Sequence, residues 1–190
     1  MQKLLIIVLV ITAPIIACAQ AVKTSLPYFN ITQVGLLQGQ NQHTYSLQTI
    51  NGISYKKYSA GVGIAYDKYG YKSVPVFADI RYSLLKSKKS ALQLYADAGA
   101  NFPIHSDLLP ATKPNGIRWY TLHSSFYGEA GFSYSVALKR RFSFIAGVGY
   151  NYKTFRYSDT EYSGDVNMPD NIIEYTYRYS KYVVRVGFGF

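Results

Sequence analysis

Apolar and polar positions alternate with a period of two along most of this chain. In "YVVRVGFGF", residues 182–190, Tyr182, Val184, Val186, Phe188 and Phe190 share one parity, and Val183, Arg185, Gly187 and Gly189 take the other. Successive strand side chains point to opposite faces, so this pattern predicts a strand with one apolar face and one face of small and charged residues. Upstream segments at 58–67, 73–84, 91–102, 119–138 and 142–157 repeat it. Tyr66, Ile80, Leu94, Phe132 and Val148 fall on the even, apolar parity, and Asp67, Asp79, Asp97, Glu129 and Lys153 on the odd one. Two weaker segments, near 28–38 and 44–50, bring the expected number of strands to eight.

A β-sandwich also alternates, but its polar face is turned to water. Here the less apolar face carries glycine, serine and scattered charges, which suits a narrow, crowded lumen. The connections agree, because "KSKKS" and "KRR" are short while residues 105–118 and 158–171 form long links. Short periplasmic turns with long outer loops are the asymmetry of outer-membrane barrels. The expected fold class is therefore all-β: an eight-stranded antiparallel transmembrane up-and-down β-barrel with the even parity facing lipid. Pro75 falls near the start of its strand, where a lost ladder bond costs least. Between Tyr175 and Tyr179 the aromatics move to odd positions, and a β-bulge near Ser180 or Lys181 is expected to reset the parity.

Composition adds an address. The chain holds 20 Tyr and 10 Phe against one Trp, and amphipathic rings collect at bilayer interfaces. At the start, Lys3 precedes an apolar run from Leu4 to Ile16 and the small residues Ala17, Cys18 and Ala19. This order predicts a signal peptide over residues 1–19 and a barrel over 20–190. A lipoprotein box ending in an acylated Cys18 is the alternative. Beyond the leader there is no apolar run of the roughly 18 residues a spanning helix needs, so only a closed barrel could cross a bilayer. Cys18 is the one cysteine, so no disulfide framework is expected. In an exported chain a formal net charge of +10 points to outer-membrane lipid and lipopolysaccharide as partners and gives no support for nucleic acid.

The candidate chemistry is thin. Parity places Asp67, Asp79, Arg81, Asp97, His123, Glu129, Lys153 and Arg185 on the inner wall. Buried charge is costly unless paired, so a lumenal network is expected that plugs the barrel rather than conducting. In "LHSSFYGE", His123, Ser125 and Glu129 share a parity, and a His, Ser and Glu set resembles that of a small outer-membrane lipid A deacylase. Two strand residues span about 7 Å, which puts Glu129 out of relay range, and the lumen is closed to an embedded acyl chain. No catalytic residue and no enzyme activity is expected. Asp159, Glu161, Asp165, Asp170 and Glu174 cluster without calcium-loop spacing and predict a solvated acidic loop. No cofactor or metal motif is present.

The segments "NITQVG", "QTINGISY" and above all "GVGIAYDKYGYKSVPVFADIRY" resemble the small outer-membrane β-barrel proteins of Bacteroidota. The matching positions are Gly61, Gly63, Asp67, Tyr69, Ser73, Pro75, Phe77, Asp79, Arg81 and Tyr82, with the likeness strongest over 46–82 and looser to Phe190. The resemblance implies a porin-like barrel domain and an outer-membrane address. A last strand ending in an aromatic also resembles the signal by which barrel-assembly machinery recognises its clients. The expected role is an integral outer-membrane barrel acting as a structural or accessory subunit of a larger outer-membrane protein complex. A lipid-modifying outer-membrane enzyme or a small-solute transporter is the alternative.

Overall fold

The computed structural model describes residues 26–39, 43–68, 71–106, 118–139, 142–161 and 171–190. The leader and Cys18 lie outside the described residues. Among these residues nine strands form: β1 (Tyr28–Gln38), β2 (His43–Tyr55), β3 (Tyr58–Lys68), β4 (Tyr71–Lys86), β5 (Ser90–Ser106), β6 (Arg118–His123), β7 (Ser125–Lys139), β8 (Phe142–Glu161) and β9 (Asn171–Gly189). Every pairing is antiparallel. The ring runs β1-β2-β3-β4-β5-β7-β8-β9 and closes through β9 onto β1, while β6 pairs with the far end of β8. Eight strands thus close the barrel, as the alternation predicts.

The ninth strand arises from a break inside a segment expected to be continuous. β6 pairs with β8 as Leu122↔Tyr157, and β7 pairs as Tyr127↔Lys153. The five steps from Leu122 to Tyr127 therefore run beside only four from Tyr157 to Lys153. The extra residue is a bulge at Ser124, and it flips the parity of everything before it. Tyr120 and Leu122 turn inward and His123 turns outward, opposite to the expectation for all three.

The bulge expected near Ser180 or Lys181 does not form. The β8–β9 register is unbroken from Ser143↔Gly189 to Glu161↔Asn171. Tyr175, Tyr177 and Tyr179 therefore lie on the same inner face as Lys181, Val183 and Arg185. Above the apolar band, the aromatics have changed sides without any change in the backbone. The long link expected over 158–171 is also partly strand, since residues 158–161 pair with 171–174.

On the outer wall, Val34, Val62, Ile80, Val148 and Val184 are each more than half exposed. They belong to a continuous apolar belt edged by aromatics such as the Tyr58–Tyr82 pair, with ring centroids 5.1 Å apart. Soluble surfaces do not carry apolar patches of this extent. The inner wall holds two apolar clusters. One is built on Ile31, Ile50, Ala65, Phe77, Tyr127 and Ile145, the other on Leu37, Tyr71, Phe155, Tyr157 and Val183. Pro75 sits two residues beyond a register irregularity at Lys72/Ser73, where the ladder is already interrupted.

Candidate functional site

Among the described residues, three ion pairs stand on the inner wall, each from side chains no more than 3% exposed. Arg81 and Asp79 are two residues apart on β4, so they share a face. The Arg81 Nε lies 2.9 and 3.0 Å from the two carboxylate oxygens, and its Nη2 2.9 Å from Oδ2. Arg81 also stands over the Tyr95 ring, 5.4 Å from its centroid. Lys153 of β8 reaches across the lumen to Asp67 of β3 and donates to Ser73 Oγ at 3.0 Å. The third pair is the most heavily bonded. Arg185 Nε and Nη2 reach Glu129 Oε1 and Oε2 at 2.8 and 2.6 Å, while Nη1 donates to Ser46 Oγ at 2.9 Å. Tyr95 Oη donates to Oε1 at 3.0 Å, and Tyr127 Oη and Asn151 Nδ2 to Oε2 at 3.2 and 2.8 Å.

Parity therefore locates seven of the eight expected inner-wall charges correctly. His123 is the exception, because the Ser124 bulge carries it outward. Its Nε2 lies 2.7 Å from Ser158 Oγ, while Ser125 stays on the inner side and donates to the Thr154 carbonyl. Glu129 is held by Arg185. The His123, Ser125 and Glu129 set is thus distributed over two faces and three separate networks. The His123–Ser158 contact borders a cleft of about 200 Å³ that Arg156, Tyr157 and Glu174 also line. Nothing in the sequence marks Ser158 as a partner of His123, because their meeting depends on the bulge. The acidic cluster is divided as well. Asp159 faces inward and Glu174 outward, while Asp165 and Asp170 lie outside the described residues.

Beyond the belt, β6, β8 and β9 continue as a three-stranded sheet. β8 has 20 residues and β9 has 19, about twice the roughly 10 that a tilted strand needs to cross a bilayer. Their inner face carries a run of rings that passes from buried to exposed. Tyr71 stacks on Phe155 at 4.2 Å, and Phe155 meets Tyr157 at 5.7 Å. Tyr157 stacks with Tyr175 and Tyr177 at 5.0 and 6.1 Å, and Tyr120 meets its edge at 6.1 Å. Phe155 is fully buried and Tyr157 8% exposed, whereas Tyr175 and Tyr177 are 36% and 44% exposed. Burial pushes the Tyr157 hydroxyl up to about 12, and the neighbouring Tyr177 hydroxyl adds to the shift. Tyr157 accordingly stays neutral at any physiological pH.

No family model matches the chain, and comparison with curated proteins gives no match either. Solved structures do resemble it. Neisserial surface protein A (NspA) superposes with a TM-score of 0.57 at 16% identity, covering 85% of this chain and 95% of that one. A major outer membrane protein from Thermus thermophilus gives a TM-score of 0.50 at 12% identity, covering 86% of this chain and 99% of that one. Identities this low carry the architecture alone. Ring order, an inner wall of paired charge and a continuous outer apolar belt agree with it: the chain has the fold of an eight-stranded outer-membrane β-barrel.

Proposed function

We propose that this chain is an integral outer-membrane barrel with a closed lumen that serves as a structural or accessory subunit, docking a partner protein through the sheet of β6, β8 and β9. The observation that carries the reading is the exposed end of the tyrosine run, Tyr175 and Tyr177, on strands that extend far past the apolar belt. Tyrosine contributes large contact area at low entropic cost and is enriched at protein interfaces. The lumen supports the closed state, since Arg81, Lys153 and Arg185 fill it in paired form. Export by the leader at residues 1–19 belongs to the same proposal, as does a Bacteroidota origin, which the resemblance over 46–82 supports.

Lipopolysaccharide fits the outer rim. Lys68 and Lys72 are direct register partners facing outward just above the belt, and Arg156 and Arg178 face outward on β8 and β9. Lipid phosphates are the counter-charge that an outward-facing basic rim attracts.

Two measurements test the role. In planar bilayers the purified barrel should show no steady current; a stable open conductance would favour the small-solute transporter alternative instead. In native membranes, mild-detergent purification should recover the barrel with a second protein. Tyr175→Ser with Tyr177→Ser should leave the boiling-dependent gel shift of the folded barrel intact and abolish that recovery. If the wild type is obtained only as free monomer, the subunit role is lost.

A further inference from the structure

At the end of the barrel where β1 begins and β9 ends, the turns are short and their charge is of one sign. Lys56 and Lys57 form the β2–β3 turn, and Lys86, Lys88 and Lys89 lie at or in the β4–β5 turn; all five are exposed. No described aspartate or glutamate side chain at this end offsets them, since Asp79 is buried with Arg81 further up β4. Lys56 has φ 55°, in the left-handed region where glycine or asparagine is the favourable choice. A lysine placed there at a conformational cost suggests that the charge itself is used.

The lysine-bearing turns are held in place by backbone bonds to neighbouring strands. Ser83 N donates to Lys57 O at 2.8 Å, and Ala137 N to Lys89 O at 2.8 Å. Beside them a register shift between Ser83 and Leu85 marks a second bulge. It leaves Leu85 outward and 68% exposed, in one register row with Leu92 of β5 and Tyr134 of β7. These three residues, with Lys86, Ser87 and Ser90, line a cleft of about 430 Å³. Leu85, Leu92 and Tyr134 give it an apolar wall, Lys86 lines it, and Lys88 and Lys89 follow in the same turn.

We propose that this cleft is a binding site for an anionic phospholipid of the periplasmic leaflet. One acyl chain would lie along Leu85, Leu92 and Tyr134, and the phosphodiester would sit against Lys86, Lys88 and Lys89. Charge complementarity selects the occupant: a zwitterionic lipid fills the apolar wall equally well but gains less from a one-signed cluster. A soluble acidic segment gains the charge but leaves the cleft empty. The proposal rests on the membrane reading above, because it takes this end of the barrel to meet the periplasmic leaflet.

Native mass spectrometry of the folded barrel in non-ionic detergent, titrated with phosphatidylglycerol or phosphatidylcholine, tests it. The wild type should retain phosphatidylglycerol preferentially. Combining K86Q, K88Q and K89Q should weaken that retention about tenfold or more while leaving phosphatidylcholine unaffected. Leu85→Asn should weaken retention of both lipids. Neither glycerophosphoglycerol, the headgroup without chains, nor a soluble poly-glutamate peptide should displace the lipid. Equal retention of the two lipids, an unchanged preference in the triple variant, or displacement by either chain-free anion would overturn the site. The boiling-dependent gel shift of the same samples reports the barrel itself, so a failure of the membrane fold is distinguishable from a failure of the lipid site.

Discussion

Arg185→Ala should lower the stability of the folded barrel by about 3 to 5 kcal/mol, the cost of leaving a buried partner charge uncompensated. Glu129 is 3% exposed and accepts five hydrogen bonds, two of them from the Arg185 guanidinium. Tyr95, Tyr127 and Asn151 would remain after the substitution, but all three are neutral donors and cannot balance a carboxylate in this interior. Ser46 would lose its donor as well. Exchanging both charged partners, Arg185→Met with Glu129→Met, removes the uncompensated charge but takes the acceptor from Tyr95, Tyr127 and Asn151, so it should recover only part of the loss. Asp97→Asn provides the contrast. Asp97 is 4% exposed directly opposite Asp79, and neither of its oxygens meets a donor among the described residues. Removing its charge should be neutral or stabilising by up to about 1 kcal/mol. Urea unfolding of the barrel in lipid vesicles, followed by the boiling-dependent gel shift, measures all of these. An Arg185→Ala barrel as stable as the wild type would mean that the lumenal pairs do not support the fold.

The inner wall was legible because period-two alternation is a local signal. Parity puts Glu129 and Arg185 on the same inner wall, but which acid meets which base depends on strand order and register, as Asp97, on the same parity and without a donor among the described residues, shows. What parity could not report was a change in its own phase. No proline or glycine adjoins Ser124 in "LHSSFYGE", whose Gly128 comes four residues later, and both sides of the bulge are rich in aromatics and serine, so the alternation reads as continuous across it. The consequence is local and specific: alternation alone puts His123 on the inner face and hides its contact with Ser158.

The opposite error at Ser180 and Lys181 has a related cause. Alternation follows lipid only within the belt. Beyond it, Tyr175 and Tyr177 pack inward against Phe155 and Tyr157, and Tyr179 against Tyr71 and Tyr177, so the apolar parity reverses while the ladder continues. A bulge and a change of solvent leave the same mark in a sequence. Cross-strand pairing distinguishes them, and pairing is not local.

A graded pair of glycine substitutions should show how closely the ring is shut. Gly187 of β9 lies opposite Gln33 of β1, at the joint between the first and last strands. A Cβ at Gly187 would stand 2.1 Å from the Thr32 carbonyl oxygen and 2.7 Å from Gln33 Cα and Cγ. The Gln33 side chain could rotate away, but the carbonyl belongs to the ladder and moves only if β1 and β9 separate. Gly187→Val should therefore cost about 3 kcal/mol, the upper end of the range for overpacking, even though valine is the better strand former by up to about 1 kcal/mol. At Gly147 the nearest atoms to a new Cβ are the Phe132 carbonyl oxygen at 3.0 Å and Ser133 Cβ at 3.4 Å. A few tenths of an ångström of movement suffices there, and Gly147→Ala should cost about 1 kcal/mol or less. A barrel has no spare edges, so partial opening at the β1–β9 joint exposes two unpaired strands at once. Refolding yield and urea midpoint should fall together for Gly187→Val and hold for Gly147→Ala. Equal midpoints for the two variants would show that β1 and β9 have room to spare, and that the glycine at the joint is not what allows the ring to close.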